Sequence, residues 1–120
     1  MREIKFRAWD KKTKEMVRSG SRPSFSFWKW VDYDSSTPLM QYTGLKDSKG
    51  VEIYEGDIVH YSMSIAHGPR EEGNGEVFWY DKTGAFLIDR SGLWSIVELT
   101  FCEIIGDVYR NPDLCPEKAT

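Results

Sequence analysis

Acidic side chains are concentrated in one stretch of the sequence. The four carboxylates are Asp47, Glu52, Glu55 and Asp57. Carboxylate oxygens are the ligands that Ca²⁺ takes in loop sites, so cation binding is the first chemistry to consider. The spacing does not fit a calcium loop, because Lys49 stands where an oxygen ligand is required and no glutamate follows Gly50 at the correct distance. We predict no metal site in this run and expect solvated turn carboxylates, with Asp57 bonding to its own turn backbone.

A second motif, Asp81-Lys82-Thr83-Gly84, spells the phosphorylation signature of P-type ATPases. That chemistry needs a parallel α/β domain to hold the aspartate against Mg²⁺ and a phosphoryl donor. The sequence has too few helix patterns to build such a domain. We therefore expect the motif to be the turn of a β-hairpin, with Gly84 at its end.

Histidine and cysteine offer no further catalytic or metal site. His60 and His67 are the only histidines, too few for a histidine-based zinc site or a catalytic triad. Cys102 and Cys115 have the spacing of neither a metal knuckle nor a redox pair, and Cys102 is predicted to be a buried thiol. The sequence thus predicts a protein that is not an enzyme and that uses no metal or cofactor.

The composition is that of a single globular domain. The 120 residues are 40% hydrophobic and 29% charged, enough to bury one core. Charges interrupt the start of the chain, and no stretch approaches the roughly 20 apolar residues of a membrane span. We expect a soluble, cytoplasmic protein without membrane contact. Five tryptophans are too many for one small core, so some are expected at an interface.

Charge is distributed unevenly along the chain. Residues 1–31 hold 9 of the 16 lysines and arginines and 3 of the 19 aspartates and glutamates, a net charge of +6. The rest of the chain carries −9. Such asymmetry is typical of a nucleic-acid-facing arm, or of a basic arm that lies against an acidic body. The pI of about 5.4 favours the second, because nucleic-acid domains are usually basic overall.

The apolar pattern predicts mainly antiparallel β structure. Residues 3–9 alternate as a half-buried strand, and residues 15–18 return as the second arm of a hairpin. Further strands are expected at residues 39–43, 57–63, 75–80, 85–89 and 101–109, the last with a bulge at Gly106. Residues 65–75 are predicted to be the longest flexible loop, and residues 111–114 a single helical turn. Residues 93–99 are ambiguous between strand and short helix, and strand is preferred.

Residues 24–33 are predicted to form a strand that is aromatic on both faces. One set of alternate positions holds Phe25, Phe27, Val31 and Tyr33, and the other holds Trp28 and Trp30. Such a strand must be covered on both sides, by the domain and then by loops of the same chain or by a partner. We predict a homo-oligomeric interface here. Its residues are Phe25, Trp28, Trp30 and Tyr33.

The alternative is a nucleic-acid-binding module. Its phosphate contacts would be Arg2, Lys5, Arg7, Arg18, Arg22 and Lys29. Phe25, Trp28 or Trp30 would stack on bases. The acidic remainder of the chain decides against this alternative, because it repels a polyanion unless it is held well away from the arm.

Three blocks of sequence resemble the YopX family of small phage and prophage proteins. They are IKFRAWD at residues 4–10, the run at residues 40–59 that ends in GDIV, and IIGDVY with NPDL at residues 104–114. The resemblance implies a mostly β fold with an SH3-like element, a tendency to self-assemble and no established activity. It carries no catalytic residue to this sequence.

Together these observations predict a mainly β fold, an SH3-like small barrel with an N-terminal antiparallel sheet or hairpin. The N-terminal part is residues 1–43, the barrel residues 44–109 and the C-terminal tail residues 110–120. The predicted core residues are Ile4, Phe6, Leu45, Ile58, Val59, Val77, Phe86, Ile88, Ile104 and Val108. We expect a non-enzymatic phage or prophage accessory protein of the bacterial cytoplasm, which assembles with itself and docks an unknown host or phage protein.

Overall fold

The computed structural model describes residues 4–19, 24–33, 36–63, 71–88, 94–96 and 99–114. The elements in these ranges are β1 (Phe6–Asp10), β2 (Glu15–Arg18), α1 (Ser24–Tyr33), β3 (Leu39–Lys46), β4 (Glu52–Tyr54), β5 (Asp57–Met63), β6 (Glu71–Tyr80), β7 (Ala85–Ile88), β8 (Trp94–Ser95) and β9 (Phe101–Asp107). A 3₁₀ helix, Pro112–Leu114, follows β9. Over the described ranges, no helix combines the length and the apolar character that a bilayer crossing requires.

The first sheet is antiparallel and holds its strands in the order β2-β1-β3-β4. Ala8 of β1 lies opposite Val17 on one side and Leu39 on the other. Side chains alternate along a strand, so Ala8 points to one face of the sheet while Arg7 and Trp9 point to the other. These two faces contact different parts of the molecule.

The second sheet, in the order β8-β7-β6-β5-β9, curls into a half-barrel. Its interior cluster consists of Ile53, Val59, Tyr61, Val77, Ile88, Ile96 and Cys102. The predicted hairpin of β6 and β7 is confirmed, with Val77 opposite Ile88. Its turn residue Gly84 has φ 65°, a conformation in which a side chain is strained. Cys102 is a buried free thiol, as expected.

Strand β3 connects the two halves of the fold. Its first part pairs with β1 and its second part with β4, and Gly44, which lies at an irregularity within the β3–β4 pairing, has φ 88°. Leu45 of β3 and Ile53 of β4 pack into the barrel interior. The fold class is thereby confirmed as mainly β, with an N-terminal antiparallel sheet and a second antiparallel sheet that curls into a half-barrel, consistent with a small β-barrel. The expected division at residues 43/44 falls inside β3, and the chain enters the second sheet only after β4.

The prediction of a strand at residues 24–33 is wrong, because this segment is the helix α1. Phe27, Trp30 and Val31 are spaced three and four residues apart, which gathers them on one side of a helix. Phe27 is fully buried against Ala8 and Val17 of the first sheet. Aromatic residues occupy both sets of alternate positions, so the pattern does not distinguish strand from helix. Packing against the first sheet decides for the helix.

Several predicted elements are confirmed. Strand β5 has the expected bounds, and the bulge at Gly106 appears as a shift in pairing: Ile58 faces Gly106, whereas Val59 faces Ile104. The helical turn after Asn111 is the 3₁₀ helix. The described part of residues 93–99 contains the short strand β8, which pairs with β7.

Two predictions about elements need correction. Ile4 was expected in the core but is 68% exposed, because it precedes β1 and lies beyond the residues that α1 covers. Residues 71–75, expected in a loop, belong to β6, where Glu71 pairs with Met63. Pairing with the long strand β5 overrides the weak strand propensity of the glycines there. Arg2, Arg22, His67 and Cys115 lie outside the described residues.

Candidate interaction sites

Trp28 lies on the outer side of α1 and is 40% exposed. Its indole contacts the ring of Phe6 edge-on, with the ring centroids 5.3 Å apart, and the ring of Phe27 at 5.1 Å. Trp30 is half-buried and meets Phe27 at 6.0 Å. The structure therefore separates the two tryptophans: Trp30 mainly packs within the chain, whereas Trp28 presents apolar surface to solvent. The side chains of Phe25 and Tyr33 are outside the described set.

Ile4 extends the exposed apolar surface beside Trp28. The amide of Tyr42 donates to the carbonyl of Lys5 at 2.9 Å, so strand pairing continues beyond the start of β1. Alternation then places Ile4 on the same face as Phe6, the residue that Trp28 contacts. We call Ile4, Phe6 and Trp28 the helix patch. The exposure of Ile4 could not be predicted from the sequence, because alternation does not show how far a covering element extends.

Of the six basic residues suggested for phosphate contact, the structure describes Lys5, Arg7, Arg18 and Lys29, and these four differ in their surroundings. Arg7 is 5% exposed and pairs internally, so its assignment to phosphate contact is corrected. Lys5 forms an ion pair with Glu52. Arg18 is exposed, with its guanidinium 5.6 Å from the centroid of the Tyr54 ring, and Lys29 is exposed on α1.

Arg7 and Asp57 form a buried ion pair between the two sheets. Nη2 of Arg7 donates to Oδ1 of Asp57 at 2.8 Å and to the carbonyl of Glu55 at 3.2 Å. The other oxygen of Asp57 accepts the Tyr54 amide at 2.8 Å, the turn bond that the sequence predicts. Burial raises the pKa of Asp57, against the opposing effect of the Arg7 charge. The pair closes the turn from β4 to β5, and nothing in the local sequence indicated it.

Asp47 is buried, which corrects the expectation of a solvated turn carboxylate. Its Oδ1 accepts the amides of Lys49 and Val51 at 2.9 Å each, and its Oδ2 accepts the amide of Ile104 at 3.1 Å. Burial opposes ionisation, but these amides and the Lys49 charge outweigh it and lower the pKa of Asp47. The carboxylate therefore joins the turn to β9. Among the described residues, no group of three or more metal-ligating side chains could hold an ion.

The other chemical motifs have structural roles. Asp81 lies in the exposed turn between β6 and β7, where the amides of Thr83 and Gly84 donate to the carbonyl of Tyr80. This arrangement confirms the hairpin prediction. His60 is half-buried, with Nδ1 2.9 Å from the side-chain oxygen of Asn74 and Nε2 3.4 Å from Glu72.

A cleft of about 210 Å³ opens between the two sheets. We call it the acidic cleft. Residues that line it include Met40, Glu55, Glu76, Phe78, Val108 and Tyr109. Met40 lies opposite Arg7 in the first sheet, so the cleft is on the face away from α1. The turn residue Gly56 allows the close approach of the sheets, because a Cβ there would lie 3.0 Å from the sulfur of Met40.

Charge and aromatic surface meet in the acidic cleft. Glu76 is only 8% exposed, and its Oε1 accepts no hydrogen bond from the described residues, although the side chain has other interactions. Tyr109 is 38% exposed and stacks on Trp9 at a centroid distance of 5.7 Å. Burial and then the negative charge of Glu76 raise the pKa of Tyr109; the Arg7 charge opposes them, and Asp107 and Glu55 make smaller contributions. The cleft therefore places carboxylates beside an aromatic ring.

The acidic cleft was not predicted from the sequence. The one signal was Glu76, a charged residue that begins the apolar run of β6 and faces Ile58 of the central strand. A glutamate at such a position is seldom buried without a reason. Its neighbours come from β3, from the turn before β5 and from the segment after β9. Only the tertiary structure brings these together.

Comparisons with known proteins agree with the fold. The family model described as YopX protein matches residues 21–115. The chain is similar to the crystal structure of protein EF1440 from Enterococcus faecalis, with 26% identity, a TM-score of 0.61 and coverage of 95% of this chain and 99% of that one. A search of curated proteins found no match. Since the family model spans most of the sequence, the chain belongs to the YopX family.

Proposed function

We propose that the protein is a non-enzymatic, self-assembling interaction module, encoded by a phage or prophage and acting in the bacterial cytoplasm. The observation that carries the proposal is the helix patch, where Trp28 is 40% and Ile4 68% exposed on either side of Phe6. The phage origin and the tendency to assemble are what the resemblance to the YopX family implies, and they are part of the proposal.

Energetics favour covering the helix patch. Removing apolar surface from water contributes about 25 cal/mol per Å², so burying the exposed parts of one tryptophan and one isoleucine contributes roughly 2–3 kcal/mol per subunit. Aromatic residues at the centre of an interface commonly carry much of its binding free energy. A second copy of the chain supplies an identical patch, which is the geometry of a two-fold symmetric contact.

Charge supports self-association as well. The turn between β1 and β2 carries the exposed side chains of Lys11, Lys12 and Lys14. These lysines belong to the basic stretch of residues 1–31. The remainder of the chain carries −9 against +6 in residues 1–31. In an assembly, the basic turn of one subunit faces the acidic body of its neighbour, which steers association and makes it sensitive to salt.

The non-enzymatic part of the proposal rests on how the acidic residues are used. Asp47 holds three backbone amides and Asp57 holds Arg7 and one amide. Carboxylates engaged in this way position backbone. They are not arranged as an acid and a base around a substrate.

Light scattering coupled to gel filtration tests the proposal. The wild type is expected to elute as an oligomer, and Trp28→Ser as a monomer, because serine removes the apolar centre of the helix patch. Trp79→Ser is the matched control, since Trp79 is 44% exposed but lies on β6 of the second sheet. It is expected to keep the wild-type mass. A monomeric wild type, or an equal effect of both substitutions, contradicts the proposal.

A DNA titration followed by fluorescence separates the alternative function. The self-assembly proposal expects no saturable binding of single- or double-stranded DNA at physiological salt. Binding that falls steeply with salt and weakens in Trp28→Ser would instead assign the helix patch to nucleic acid. In that case the wild type is also expected to be monomeric by light scattering. The DNA titration and the light scattering would then both favour the nucleic-acid alternative.

A further inference from the structure

We propose that His60 and Glu72 bind a transition-metal ion, Zn²⁺ or one with similar ligand preferences, on the outer face of the second sheet. The two side chains come from the neighbouring strands β5 and β6. The site goes beyond the self-assembly proposed above, because it uses neither the helix patch nor the acidic cleft. Neither the YopX family match nor the similar crystal structure names such a site.

Strand pairing brings the two ligands to one face of the sheet. His60 lies opposite Asn74 of β6, and Glu72 is two residues before Asn74 on the same strand. Alternate residues of a strand point to one face, so Glu72 and Asn74 share the face of His60. Val59 and Tyr61, the neighbours of His60 in β5, belong to the barrel interior, so this face is the outer one. The side chains of His60 and Glu72 are 39% and 61% exposed, which lets an ion reach them from solvent.

Asn74 fixes the orientation of the His60 ring. Nδ1 of His60 lies 2.9 Å from Oδ1 of Asn74, and Nδ2 of Asn74 donates to the carbonyl of Leu114 at 3.3 Å. An amide oxygen only accepts hydrogen bonds, so Nδ1 carries the proton of the neutral ring and Nε2 presents its lone pair. Histidines that bind metals are commonly held in this way, with the second ring nitrogen donating to an oxygen.

The distance between the two ligand atoms is that of a tetrahedral metal site. Nε2 of His60 lies 3.4 Å from Oε1 of Glu72. A charge-assisted hydrogen bond is shorter, at about 2.7–2.9 Å. Zinc bonds to nitrogen and oxygen are about 2.0–2.2 Å long, and at the tetrahedral angle they separate the two ligand atoms by about 3.3–3.5 Å. The pair is therefore spaced for an ion that both groups contact.

The ligand types select the class of metal. Imidazole suits zinc, copper and nickel, whereas Mg²⁺ and Ca²⁺ take oxygen ligands. The described residues contain no group of three ligating side chains, so the site has two protein ligands and keeps open positions for water. Glu103 lies opposite His60 on β9, but its carboxylate is 2.6 Å from Nζ of Lys49 and is engaged there.

The number of histidines alone could not indicate this site. The sequence predicts no histidine-based zinc site because it contains only His60 and His67. The structure places a carboxylate beside one of them, from a residue twelve positions away in the chain that strand pairing brings close. A mixed pair of one histidine and one carboxylate needs only a single histidine from the chain.

An NMR titration of the full-length, isotope-labelled protein with ZnCl₂ tests the inference. We expect saturable shifts of the His60 ring signals at a Kd below about 1 mM. His60→Gln should abolish the binding, and Glu72→Gln should weaken it about tenfold or more. Asn74→Ala should also weaken it about tenfold, the common effect of removing a group that orients a metal-bound histidine. MgCl₂ should give no saturable shifts of the same signals.

Matched variants separate this site from other metal-binding groups. His67→Gln removes the second histidine, and Glu15→Gln removes an exposed carboxylate from β2. Both should leave the affinity for Zn²⁺ unchanged. If His60→Gln fails to fold, Glu72→Gln still decides the question, because the exposed Glu72 side chain can be changed without opening the core.

Four results overturn the inference: no saturation below about 1 mM, unchanged binding in a folded His60→Gln or Glu72→Gln, an equal loss in His67→Gln, or equal binding of Mg²⁺. Trp28→Ser keeps both ligands and should bind Zn²⁺ as the wild type does. A failure of self-assembly therefore leaves the zinc measurement intact, and a failure of zinc binding leaves the light-scattering result intact.

Discussion

The two faces of β1 are stabilised by different physical means. On the face toward α1, Ala8 is fully buried under Phe27, and the contacts are apolar. On the face toward the barrel, Arg7 reaches Asp57 and Trp9 stacks on Tyr109. One strand thus contacts a helix by hydrophobic burial and the barrel by a buried ion pair and stacked aromatic rings.

The difference indicates what each face can be used for. Apolar packing is non-directional, so α1 need not cover the whole of this face, and apolar surface at Ile4 stays exposed. The barrel face depends on directional contacts between charged groups, and these place carboxylates around an opening between the sheets. The face toward α1 thus leaves apolar surface exposed at the helix patch, and the face toward the barrel places carboxylates beside the Tyr109 ring.

Arg7→Met should have the largest effect on stability. The substitution leaves the Asp57 carboxylate buried without its counter-charge, which costs about 3–5 kcal/mol in the free energy of unfolding. Urea denaturation measures this cost. Because burial already raises the pKa of Asp57 and loss of Arg7 raises it further, the deficit should shrink as the pH falls and Asp57 becomes protonated.

Two further variants sharpen this result. Lys5→Met breaks the ion pair with Glu52, whose side chains are 34% and 26% exposed, and should cost less than about 1 kcal/mol. Arg7→Met/Asp57→Leu should recover much of the loss, because Nε of Arg7 is buried without a hydrogen bond to any of the described residues. A double variant as unstable as Arg7→Met would show that the pair does more than neutralise charge.

Phe27→Ala tests the apolar face and should have a somewhat smaller effect. Phe27 is fully buried, and its loss should lower the free energy of unfolding by about 3 kcal/mol. This is the lower end of the range for phenylalanine, because α1 packs on one face of the first sheet and can move to fill part of the cavity. The deficit should be independent of pH, unlike that of Arg7→Met. A pH-dependent deficit in Phe27→Ala would mean that the two faces are coupled.

Ionisation of Tyr109 gives the smallest and most local effect. Ultraviolet titration should show a pKa above the ordinary value of 10.0, because burial and the Glu76 charge favour the neutral phenol. Because the pKa of Tyr109 is raised in the folded state, the neutral phenol contributes fully to the free energy of unfolding below pH 10. This contribution is lost as the pH rises through the pKa of the folded state. Glu76→Gln should move the pKa down, whereas Glu72→Gln should leave it in place. An unchanged pKa of Tyr109 in Glu76→Gln would mean that the charge of Glu76 does not act on the Tyr109 phenol.

Local sequence patterns predicted many of the strands and turns and few of the sites. The hairpins and the bulge at Gly106 were correct because turn glycines and alternating residues act over a few neighbours. Trp28 was predicted to be exposed and is 40% exposed, although it lies on a helix and not on the predicted strand. Arg7 was misassigned, because its charge suggested a surface position and its counter-ion Asp57 lies fifty residues away.

The sequence by itself determined the β pattern, the positions of the turns and the excess of tryptophan over what one small core can hold. Tertiary structure decided that residues 24–33 form a helix, since only the apolar face of the first sheet distinguishes Phe27 on a helix from Phe27 on a strand. It also decided which carboxylates are buried. Asp47, Asp57 and Glu76 look alike in sequence, and each acquires its role from groups that distant parts of the chain bring to it. Desolvation and charge pairing act through space, so their outcome depends on the packed sheets.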